Sequence, residues 1–119
     1  MEPLIKSYTS FEPINTEHDH GLILCRRIGK GLGEHIEIKR IKAYTDWFRR
    51  NYLDLHFKVE EEHIFPLLGN QNFRVKKALA NHRRLRRLFD ETSQVERALN
   101  RIEEELGRYI RYEEGTLYN

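Results

Sequence analysis

One cysteine, one tryptophan, one methionine and three prolines are all that the 119 residues hold of those types. A lone cysteine, Cys25, cannot close an internal disulfide, which excludes a disulfide-stapled scaffold and fits a reducing cytoplasm. It sits among Leu22, Ile23, Leu24 and Ile28, the setting of an inert buried thiol. Long hydrophobic runs are missing too, so no segment is expected to span a membrane. The opening MEPLIKSYTSFEP has no basic stretch followed by an apolar run, so it does not read as a signal peptide. Charge of one sign is also lacking. The 21 Lys and Arg against 19 Asp and Glu leave a net charge of +2, which calls for neither nucleic acid nor an acidic membrane as partner. There is no internal repeat, no phosphate-binding glycine loop, no Ser-His-Asp set and no stretch that alternates like a strand.

What is present is charge spread evenly, at 34% of residues, beside 39% hydrophobic residues. That balance suits helices with a thin apolar seam, and the length suits one domain. Pro3 and Pro13 bracket an extended N-terminal arm, residues 1–13, ahead of a helical domain over residues 14–119. Thr16 is expected to cap a first helix, with Asp19 three residues on. That helix runs to about Lys30 and stops in the glycine-rich GKGLG of residues 29–33. A second helix covers residues 34–65, broken by Pro66 and then Gly69-Asn70. A third covers about residues 72–91, and Thr92 or Ser93 caps a fourth over about residues 94–116. Short connections imply antiparallel neighbours, hence an all-α, up-down-up-down four-helix bundle.

At about 100° per residue, each helix shows an apolar stripe with polar residues inside it. Leu22, Cys25, Ile28 and Leu32 form the first stripe, with His18 one turn before Leu22 and His20 on its flank. Ile41, Phe48, Tyr52 and Val59 define the second, and His56, Glu60 and His63 lie beside it; Glu61 and Glu62 point away, into solvent. In the third, Val75, Ala78, Leu79, Leu85 and Phe89 centre on His82. In the fourth, Val95, Ile102, Leu106 and Leu117 share a face with Tyr109 and Glu113. Taken singly, His18 or His82 is an ordinary core histidine, and His56–Glu60 is an ordinary pair at four-residue spacing. Taken together, each helix puts an imidazole or a phenol on its buried side, and two helices add a carboxylate four residues later. Two buried glutamates without counter-charges are costly. Two glutamates and three imidazoles in one core make sense if they share cations, and that donor mix suits pairs of iron or manganese ions.

In this order the motifs resemble a known family. The stretch 56-HFKVEEEHIFPLL-68 is similar to the second-helix motif of hemerythrin-like (HHE cation-binding) proteins: a His, a Glu four on, a second acid, then a hydrophobic pair and Pro. The segments 17-EHDHGLILC-25, 81-NHRRLRRLF-89 and 109-YIRYEEGTLY-118 resemble the motifs of the other three helices. The resemblance implies a non-haem centre of two iron ions bridged by the carboxylates of Glu60 and Glu113, with terminal imidazoles from His18, His56 and His82; manganese or zinc are the other candidates. It also implies a small ligand, dioxygen, nitric oxide or peroxide, or a role in iron and redox homeostasis.

Two departures from the family pattern stand out. Tyr109 occupies the place of the fourth-helix His, and Arg86 that of a second third-helix His, so reversible oxygen carriage is not expected. Two readings of Tyr109 stay open: its phenolate ligates iron, favouring the ferric state, or its hydroxyl donates a hydrogen bond to a bound oxygen species. Arg86 is expected to extend to solvent rather than pair near the site, His20 is a substitute for His18, and His63 is expected in the core. Trp47 lies opposite the second stripe, against the N-terminal arm or a second protomer. The run Arg83, Arg84, Arg86, Arg87 reads as a solvated helix face. Three functions follow: a di-iron protein binding, sensing or reacting with the small ligand, an iron store or donor, or a metal-free interaction module.

Overall fold

The structure is a computed structural model that describes residues 12–117, with side chains from residue 19 onward. The described residues are all-helical, without a strand. Four long helices make up the fold: α1 (Glu12–Gly33), α2 (residues 38–68), α3 (Phe73–Asp90) and α4 (Val95–Tyr112). Helix α2 is not uniform. Two π turns, Arg49–Leu53 and Glu60–Ile64, interrupt its α-helical segments, and a third, Glu113–Leu117, continues α4.

The apolar spacing read from the sequence is what the helices bury. Val75, Ala78, His82, Leu85 and Phe89 of α3 are inside, alternating steps of three and four along one stripe. Leu99, Ile102, Leu106 and Ile110 of α4 meet Leu24 and Ile28 of α1 and Phe48, Phe57 and Phe65 of α2 in one core. Each such side chain contributes about 1.5–3 kcal/mol on leaving water. Helix α1 packs along α4 and against the first half of α2, and α3 packs along α4. Polar straps link the rest: Lys42 donates to the Phe89 carbonyl (2.5 Å) and Arg49 to Asp90 (2.5 Å), while Tyr112 donates to the Arg74 carbonyl (3.0 Å).

Several expected boundaries move. Thr16 lies inside α1 rather than at its start, because the helix is already formed at Glu12. Helix α1 ends in the GKGLG segment as expected, at its last residue, Gly33, three residues beyond Lys30. Of its glycines, Gly31 serves close approach: a Cβ there would sit 3.1 Å from Ile41 Cδ1. Helix α2 starts at Ile38 rather than residue 34, and it passes through Pro66. That proline sits in the first turn of the segment Phe65–Leu68, directly after a π turn, where a missing N–H is tolerated. The helix ends at Gly69, whose φ of 101° suits a residue without Cβ. Asn72 caps α3 by accepting from the Arg74 N–H at 2.8 Å. Neither Thr92 nor Ser93 caps α4. Gln94 stands at the cap position without a side-chain cap hydrogen bond, and the Glu91 carboxylate ties the connection ahead of the helix, accepting from the N–H of Ser93 (3.0 Å) and of Gln94 (3.2 Å) and from the Ser93 hydroxyl (2.9 Å). Residues 1–11 of the expected N-terminal arm lie outside the described residues, while Glu12 and Pro13 already belong to α1.

Candidate metal centre

Three helices bring their polar residues to one place in the core. Glu60 and Glu113 are wholly buried, His82 equally so, and His56 keeps 5% of its surface. Each of the two glutamates is the first residue of a π turn. A π turn inserts a residue into the α-helical register, so successive side chains rotate by less than the usual ~100°. Such turns often occur at functional sites.

The geometry is tight. Glu60 Oε1 lies 3.3 Å from His56 Nε2 and 3.1 Å from His82 Nε2. Glu113 Oε1 is 3.7 Å from His56 Nε2. The Tyr109 hydroxyl donates to Glu113 Oε2 at 2.8 Å and stands 2.7 Å from His82 Nε2. Donor atoms of His56, Glu60 and Glu113 all lie within 4.8 Å of one another, close enough to share an ion. Aromatic rings wall the cluster: Phe57 stacks on His82 (centroids 3.9 Å apart, 17° between planes) and Phe65 lies 5.5 Å from it. Burial pushes the His82 imidazole down to about 4, against the Glu61 hydrogen bond and the Glu113 charge, which act to raise it.

The structure brings together five of the six residues singled out in the sequence: His56, Glu60, His82, Tyr109 and Glu113. The sixth, His18, is on α1, but its side chain lies outside the described residues. Its substitute His20 does not join the group; its ring packs on Tyr52, centroids 4.8 Å apart, and its Nδ1 is buried without a hydrogen-bond partner. His63 is exposed, not in the core.

Glu61 and Arg86, like His63, lie elsewhere than a uniform helical wheel puts them. Glu61 was expected in solvent, yet its Oε2 lies 2.6 Å from His82 Nδ1 and 2.9 Å from Arg86 Nη1. Partial burial acts to raise the Glu61 carboxyl, but the hydrogen bonds from His82 and Arg86 outweigh it and hold the group below the usual carboxylate range. Arg86 was expected to extend away; it pairs with Glu61, and its guanidinium lies 5.3 Å from the centroid of the Phe57 ring. The doublet Glu60-Glu61 beside Pro66 carries a usable signal, since a π turn ahead of a proline lets both acids face α3. Trp47 is half-exposed and stacks on Tyr44.

The donor set fits a metal cation. Imidazole nitrogens and carboxylate oxygens converge from separate helices in a dry, aromatic-walled core, the mix that binds intermediate divalent ions. No helix among the described residues is long and apolar enough to cross a membrane. No curated protein and no solved structure matches the chain. The family model described as the hemerythrin HHE cation binding domain matches residues 9–119. With nearly its whole length matched and buried His and Glu side chains drawn together, the chain belongs to the hemerythrin HHE cation-binding family.

Proposed function

We propose that the protein is a non-haem di-iron protein that binds, senses or reacts with a small oxidant or diatomic molecule: dioxygen, peroxide or nitric oxide. The observation that carries this is the position of Glu60 Oε1, within 3.3 Å of imidazole nitrogens from two different residues, His56 and His82. Glu60 and Glu113 would hold the ions through carboxylate oxygens, and His56, His82 and His18 through imidazole nitrogens. An iron pair held this way supplies redox change and open coordination positions for the small ligand.

The chain's own residues set the conditions. Phe57 and Phe65 exclude water from the His82 side, which strengthens every charge interaction within. Tyr109 supplies a phenolic oxygen in the place of an imidazole. A hard anionic oxygen there favours the ferric state, which suits sensing or peroxide and nitric oxide chemistry better than reversible carriage. Supporting an up-down-up-down course for the four helices are the pairs Arg27–Tyr44, Lys42–Phe89 and Tyr112–Arg74, each joining successive helices near their ends.

Metal analysis combined with optical spectra, oxidised and reduced, tests the proposal. The expected result is about two iron ions per chain and a visible ferric–phenolate band that Tyr109→Phe removes. Well under one iron per chain from iron-replete cells would overturn the di-iron assignment. An unchanged band in Tyr109→Phe would overturn ligation by Tyr109 alone.

A further inference from the structure

We propose that Glu61 and Arg86 form a positioning pair that fixes His82 as its Nδ1–H tautomer, so that the Nε2 lone pair faces the Glu60–Glu113 cluster. The purpose of that bare nitrogen rests on the metal-site reading above; the tautomer does not.

A carboxylate only accepts hydrogen bonds. Glu61 Oε2, 2.6 Å from His82 Nδ1, therefore requires the hydrogen on Nδ1. A neutral imidazole carries one N–H, so Nε2 is left with its lone pair. Facing it are the Tyr109 hydroxyl at 2.7 Å, whose hydrogen is shared between this lone pair and Glu113 Oε2 (2.8 Å), and Glu60 Oε1 at a longer 3.1 Å. The opposite tautomer would set the Nδ1 lone pair against a carboxylate at the shortest contact the ring makes. Nor does the ring have room to turn over, since Phe57 stacks on it and Phe65 packs beside it.

Arg86 makes the arrangement persist. Its Nη1 contacts the same Glu61 oxygen at 2.9 Å while the guanidinium rests against the Phe57 ring. The guanidinium keeps Glu61 ionised and in place, and it cancels the Glu61 charge, so the pair orients His82 without adding net charge to the cluster. A second imidazole is thus not needed one turn after His82: the arginine at that position acts through Glu61 on the imidazole already present. Groups that accept the outer N–H of a ligating histidine fix its tautomer, and their loss commonly costs 10–100-fold in metal affinity.

Two readouts test this on the full chain: long-range proton–nitrogen spectra of histidine-labelled, metal-free protein at pH 7, and titration with cobalt(II) alone followed by its visible absorption. The wild type is expected to carry the His82 hydrogen on Nδ1. Glu61→Leu should move it to Nε2 and weaken cobalt binding about 10–100-fold. Glu61→Gln, whose amide oxygen still accepts, should keep the tautomer and most of the affinity, and the exposed neighbour Glu62→Leu should change neither. Arg86→Met should weaken binding less than Glu61→Leu does; wild-type affinity in that variant removes Arg86 from the pair. A wild-type ring protonated on Nε2, or cobalt bound as tightly by Glu61→Leu as by wild type, overturns the proposal. If the wild type takes up no cobalt while its hydrogen sits on Nδ1, the metal-site reading fails and the Glu61–His82 assignment stands.

Discussion

Cys25 shows what burial does to one reactive side chain. Only 8% of it is exposed, and burial, aided by the nearby Glu103 charge, pushes its thiol up to about 11. The thiolate is the nucleophile, so at pH 8 almost none of the side chain is in reactive form. Ellman's reagent at that pH should leave the native thiol essentially unmodified over the time in which denatured protein reacts completely; rapid labelling of the native protein would contradict the assignment. At this same scale the sequence was a good guide to which side chains turn inward. His56, Glu60, His82, Tyr109 and Glu113 each interrupt or flank an apolar stripe, and all five meet. His63 was misjudged because a uniform wheel carries it onto the face of His56, whereas the π turn that starts at Glu60 shifts the register before residue 63 is reached.

At the scale of elements, glycines and caps separate what spacing can reveal from what it cannot. Gly21 and Gly29 both lie within α1, where Gly costs about 0.5–1 kcal/mol relative to Ala. A Cβ at Gly21 would come within 2.7 Å of Ile110 Cδ1, a buried core side chain. A Cβ at Gly29 would meet only the end of the Glu103 side chain, which can swing aside. Gly29→Ala should therefore raise unfolding stability by roughly 0.5–1 kcal/mol, whereas overpacking in Gly21→Ala should outweigh the gain in helix propensity and give a net loss of about 1 kcal/mol. Urea denaturation of the two variants would distinguish them. Nothing in the glycine spacing announces these contacts, because they depend on how closely α4 approaches α1.

The connection ahead of α4 carries its own pH signature. Hydrogen bonds from the Ser93 and Gln94 N–H groups, with the Ser93 hydroxyl, hold the Glu91 carboxyl down to about 2. Its folded pKa lies below that of the unfolded chain, so protonation favours unfolding. Its contribution is complete above about pH 4.5, the ordinary range for a glutamate, and fades as the pH falls toward 2. Glu91→Gln should lower Tm at pH 7 but converge with wild type near pH 2. Thr92 and Ser93 read as the natural caps because hydroxyls usually serve; the Ser93 hydroxyl instead donates to the Glu91 carboxylate within the connection.

Across the whole molecule, the all-helical fold was legible because each helix is amphipathic and each break is punctuated by glycine, proline or a short polar run. The convergence of donors was legible too, since four stripes each with a polar centre cannot be satisfied separately. What could not be read is the layer around the donors, Glu61 and Arg86, whose direction depends on where the helical register slips. Binding to the folded chain alone stabilises it, so removing metal with a chelator should lower Tm by several degrees. A Tm indifferent to chelation would mean that no ion is held in the core.

The total enclosure of Glu60, His82 and Glu113 bears on time as well as on affinity. A donor with no surface cannot hand its ion to a competing chelator by direct contact. Departure must wait for α2, α3 and α4 to part locally, so the loss rate should stay flat as chelator concentration rises and keep pace with amide deuteration of the segments around residues 60 and 113. The ion would leave on the schedule of the helices' breathing, not of its own bonds.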